Sequence, residues 1–158
     1  MESRTRNGRA RAALALTVLV LTVLVVPVAR AVGEVTVEQL KDRVANASMA
    51  ERASLCIQIS EKQLEAATRL YAAGDSEKAQ AELVDVVAFS GLARDYAIQA
   101  HKREKQSEIA VRKMSRKLAG LKHTVSHDDQ QQIQDTINRL EKIRDDLLAA
   151  MFPNGVKK

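Results

Sequence analysis

The sequence predicts an all-α protein: an antiparallel helical-hairpin bundle of three long helices plus a short N-terminal helix, with one long central helix. Three observations predict it. From Thr36 onward, apolar residues recur at three- and four-residue steps, the period of a helix face, and no stretch alternates as a strand does. No proline falls between Thr36 and Phe152, and the two in the chain, Pro27 and Pro153, stand on either side of that span. A capping residue stands before each apolar run: Thr36, Ser48, Asp75 or Ser76, and Ser126.

The first segment sets the compartment. Arg4, Arg6, Arg9 and Arg11 precede an apolar run from Ala13 to Val26 that Pro27 ends. Ala29 and Ala31 then offer the small residues that a signal peptidase reads. Residues 1–31 are therefore expected to be a cleaved secretory signal peptide of bacterial pattern, cut after Ala31. The alternative is an uncleaved N-terminal anchor, which would make the chain membrane-bound. The run is 14 residues long, short of the ~20 that a spanning helix needs. The net charge of +5 belongs mostly to this segment, because the 127 residues after it carry 20 basic and 19 acidic side chains. Residues 32–152 are expected to form a single helical bundle domain, and 153–158 a disordered tail. The lone cysteine, Cys56, cannot pair within the chain, and its place between Leu55 and Ile57 predicts burial.

Thr36 and Gln39 fit a capping box, and Val37, Leu40 and Val44 give a short first helix one apolar face. Ser48 and Glu51 form a second box. It opens a helix to about Ala73 whose apolar positions include Leu55, Cys56, Ile59, Ala66, Ala67 and Leu70. Gly74-Asp75-Ser76 is the sharpest turn signal in the chain: glycine ends one helix and Asp75 or Ser76 caps the next. The stretch from Leu70 to Asp75, with Ala79 and Leu83 after it, resembles the turn of a tetratricopeptide repeat over about one turn and its flanks. The tyrosine is one place too close to the glycine. No second copy follows at the ~34-residue period of such arrays, so the stretch is read as a plain hairpin turn.

The next stretch, Ser76 to about Lys122, is the expected centre of the fold. It has no proline, and its seam reads Ala79, Leu83, Val86, Ser90, Ala93, Ala97, Ala100, Glu104, Ser107, Val111, Met114, Leu118 and Leu121. A continuous helix of that length would extend on the order of 70 Å. Its middle, His101 to Glu108, is polar throughout. A compact bundle with a bend in that run also fits, but Lys, Arg, Glu and Gln are good helix formers and favour continuity. Ser126 then caps a last helix with Ile133, Ile137, Leu140, Ile143, Leu147 and Met151 on one face.

Few residues suggest chemistry. There is no glycine-rich phosphate loop, no Cys-x-x-Cys, no G-x-S-x-G and no H-E-x-x-H. The reading is therefore non-enzymatic, with no cofactor and no committed metal site. His123 and His127, four apart and followed by Asp128 and Asp129, are the one group with metal-ligand chemistry. They straddle an expected helix break, which argues against a shared face. Between Arg94 and His123 nine basic residues face three acidic ones, so residues 102–117 offer an anionic-surface binder as a weaker alternative. Nucleic acid is disfavoured, since the chain has no tryptophan and aromatics are only 3%. The small, polar middle of the seam could accept a helix from another molecule. The leading expectation is an exported structural or protein-interaction module of the bacterial envelope or extracellular space, with a protein partner or self-association. The alternative is a metal- or small-ion-binding envelope protein using His123 and His127.

Overall fold

The structure, a computed structural model, describes residues 35–153. The expected signal segment, its cleavage point after Ala31, and the tail beyond Pro153 lie outside the described residues. Those described form five helices packed as a bundle, with no strand among them.

Helix α1 (Val37–Asn46) opens on a capping box. The Thr36 amide donates to Gln39 Oε1 at 3.0 Å and the Gln39 amide donates to Thr36 Oγ1 at 3.2 Å. Two of the amides that a helix start leaves without partners are thereby satisfied. Leu40 is buried against Leu55 and Ile59. Helix α2 (Met49–Ala72) begins one turn later, where the Ser48 amide donates to the Glu51 carboxylate at 2.9 Å. The Arg52 side chain donates to the carbonyls of Ala47 and Ala45, each at 2.9 Å, and so fixes the corner between α1 and α2.

Gly74 ends α2 with a φ of 79°, a conformation that costs a glycine little and other residues more. The Asp75 carboxylate caps helix α3 (Ser76–Ala100) by accepting from the Lys78 amide. Helices α2 and α3 then lie together in register. The Ser60 hydroxyl donates to the Val86 carbonyl at 3.3 Å, Ser90 Oγ donates to Ser60 Oγ at 3.2 Å, and Gln63 Nε2 donates to Asp85 at 2.7 Å.

The expected continuous helix is not present. It stops at Ala100, and a new helix α4 (Glu104–Lys122) begins after three intervening residues. His101 and Arg103 both hold left-handed backbones, with φ of 50° and 76°. The Lys102 amide reaches back to the Ala97 carbonyl at 3.2 Å, closing the last turn as a glycine would normally allow. Two non-glycine residues in that region cost about 1–2 kcal/mol each. Core burial outweighs the cost. The break brings Val111, Met114 and Leu118 of α4 into one buried cluster with Leu64, Leu83, Val86, Ile133, Leu140 and Leu147. Each buried aliphatic side chain contributes roughly 1.5–3 kcal/mol, so three of them exceed the strain. The sequence hides the break because neither glycine nor proline marks it.

Helix α5 (His127–Met151) packs on both α4 and α3. The Arg144 Nε donates to Glu108 at 2.9 Å, and Lys122 Nζ donates to Gln134 at 2.8 Å, so α4 and α5 pass in opposite directions. Towards α3 the bonds run the other way: Ser76 meets Asp129 at 2.8 Å and Arg94 meets Asp146 at 2.7 Å. Glu108, inside the polar run, is buried and paired with Arg144 and with Arg112. That pairing allows a charged residue to face the interior.

Candidate functional site

Four places carry side chains that a partner or ligand could use. The first is the pair of histidines. His123 ends α4 and His127 is the first residue of α5, so the two stand on opposite sides of the connection and share no helix face. Both are exposed, as is Asp128. Asp129, which the linear pattern groups with the histidines, faces inward instead. It accepts from the hydroxyls of Ser126 and Ser76 and from Gln80 Nε2 at 3.1 Å. The Ser126 hydroxyl, followed by the Ser76 hydroxyl and the Gln80 amide, holds the Asp129 carboxyl below the usual carboxylate range against the opposing effect of burial. Asp129 thus ties the starts of α3 and α5 to one acceptor. A carboxylate there also complements the positive end of each helix. Among the described residues no group of three His, Cys, Asp or Glu side chains comes together to hold a metal ion.

The second place is the basic stretch. Arg94 is held by Asp95 and Asp146, and Arg112 by Glu108. Lys113 and Lys117 line a groove between α2 and α4 together with Glu61 and Glu65, so acidic residues of α2 stand beside them. Lys102, Arg103 and Lys105 are exposed around the α3–α4 break, and Arg116 is exposed on α4. The charges are therefore spread over separate faces rather than gathered in one stripe.

The third is the seam. Ser90, Ala93 and Ala97 are fully buried within the chain, and Ser107 nearly so. These four residues are covered by the chain's own packing, whereas Ala100 and Glu104 of the same seam are partly exposed. Cys56 is also fully buried, and desolvation pushes its thiol up to about 11, with Arg52 opposing slightly. A thiol in that state is an inert core group.

The fourth place is the outer side of α3, whose surplus of apolar residues the sequence pattern assigns to cover by two neighbours, yet part of which stays exposed. Val84 is 56% exposed and Leu92 41% exposed, eight residues apart on one helical line with Val87, Ala88 and Gly91 between them. A groove of about 430 Å³ runs beside Val87, Gly91 and Leu92 towards Arg139 and Lys142 of α5. A second groove of about 350 Å³ continues past Val84 towards Asp128 and Asp135. A side chain added at Gly91 would meet nothing within 4 Å. The protomer therefore does not need a glycine there, although glycine inside a helix costs about 1 kcal/mol relative to alanine. The signal was available in the sequence: α3 has more apolar residues than one seam can use.

The described residues define a class, an all-helical bundle with a packed interior. No protein family, curated protein or solved structure matches the chain. Among the described residues no helix is long and apolar enough to cross a membrane.

Proposed function

We propose that this protein is an exported, non-enzymatic module of the bacterial envelope or extracellular space that acts by contact with other proteins. In that reading the helices pair as antiparallel hairpins, α2 with α3 and α4 with α5, with α1 as a short N-terminal cover. Residues 1–31 serve as the export signal. The observation that carries the interaction reading is the exposed line of Val84 and Leu92 beside the α3–α5 grooves. Exposed apolar residues aligned on one helix are what a partner helix or ridge packs against.

The test combines processing with contact. The mature chain is expected to begin at Val32 when recovered from the envelope fraction. Cross-linking there is expected to give a discrete neighbour that V84E/L92E loses while its melting midpoint stays at the wild-type value. An unprocessed chain retained in the cytoplasm would overturn export. An unchanged set of neighbours in V84E/L92E would remove this face from the contact.

A further inference from the structure

At the α3–α4 break the sequence pattern and the folded backbone disagree. On one side is the periodic pattern, which continues through Ala97, Ala100, Glu104, Ser107 and Val111 without a glycine or proline. On the other is the folded protomer, in which His101 and Arg103 take left-handed backbones so that α4 can turn back. Arg103 precedes α4 with no side-chain cap bond. Only three residues separate the two helices. Short strained connections of this kind favour exchange of an identical element between copies.

We propose that two copies of this chain form a domain-swapped dimer in which α3 and α4 join as one helix through residues 101–103, and each α4–α5 pair packs on the α2–α3 pair of the other copy. The partner is a second copy because only it supplies the same contacts. Leu83 and Val86 would again meet Leu118, Ile133 and Leu140. Arg94 would again meet Asp146, and Ser76 would again meet Asp129, now across two chains. The core is thus retained and the left-handed residues are released into a helix, which the arginine favours. What opposes the dimer is the association entropy of the second chain. The swap needs only residues 35–153, and neither export nor the Val84–Leu92 face enters it.

The experiment uses the full chain with C56A. One preparation carries R94C and the other D146C. The two are unfolded, mixed, refolded together and treated with a short bismaleimide. A heterodimer linked between positions 94 and 146 is expected, because the swap places these residues of different chains side by side. A chain carrying both R94C and D146C reports the same proximity within a monomer. H101G/R103G should weaken dimerisation by about a hundredfold or more, since glycine accepts the closed hinge freely and disfavours the helix. H101A/R103A should strengthen it. A doubled mass without the 94–146 link would mean a side-by-side dimer and would overturn the proposal. So would a monomer at every concentration, or a dimer indifferent to the glycine hinge. V84E/L92E should dimerise as the wild type does, which keeps this test separate from that of the outer face.

Discussion

Asp129 shows how much one side chain can organise. Its two oxygens accept from Ser126 on its own helix start and from Ser76 and Gln80 on α3. Removing it takes the shared acceptor from three donors that tie the two helix starts together. D129A should therefore lower unfolding free energy by about 2 kcal/mol at neutral pH, read from a denaturant midpoint, combining a lost cap with unsatisfied partners. The pH dependence has a definite sign. The folded carboxyl is held below its ordinary value. Its contribution is therefore complete above the unfolded pKa of about 3.9 and is lost as pH falls through the lower folded value. The gap between wild type and D129A should narrow on acidification below pH ~4 and stay constant above pH ~6. The sequence offered Asp129 only as a first-turn residue or part of a histidine cluster. Nothing in a linear string says that Ser76, 53 positions away, faces the same carboxylate.

At the scale of the element, two chain reversals make a controlled comparison. At Gly74 the residue type and the backbone agree, and the residues alone make the turn legible. At His101 and Arg103 they disagree: the left-handed backbone is carried by two non-glycine residues, one of them an arginine, a good helix former. The periodicity correctly marks the faces of α3 and α4, because Leu83, Val86, Val111, Met114 and Leu118 all end up buried. It could not give the direction of α4, since that direction is decided by packing against α2 and α5. For the same reason the seam looks open to another molecule in the linear pattern, since its occupancy depends on where the partners lie. R103G should stabilise the folded monomer by about 1 kcal/mol, by relief of the left-handed strain, and R103A should not. Thermal unfolding at concentrations low enough to exclude association distinguishes them.

At the scale of the whole molecule, one buried cluster joins α2, α3, α4 and α5, and a smaller one joins α1 to α2. Leu83 belongs to the larger cluster and is almost wholly buried. L83A should cost roughly 2–5 kcal/mol, within the range for a buried leucine. Cys56 provides the readout. Its thiol sits in the interior with a raised pKa of about 11, so alkylation under native conditions requires opening. Faster labelling of Cys56 in L83A than in wild type would show that the bundle opens as one unit. An unchanged rate would place Leu83 and Cys56 in separately opening parts.

The pairing of sequence neighbours has a consequence in time. The Ser60–Ser90 bond closes a separation of 30 residues and the Arg144–Glu108 bond one of 36. The ties from α3 to α5, such as Arg94–Asp146 at 52, reach further, as does the packing of α2 on α4. Loop closure over such spans costs little more than over shorter ones, and topologies rich in local contacts fold quickly. The α2–α3 pair has all its mutual contacts once residue 100 is available, before any of α5 is needed. A chain threaded N-terminus first through a narrow passage would meet its packing partners in the order in which it requires them, and the last helix to emerge would be the one that locks the rest.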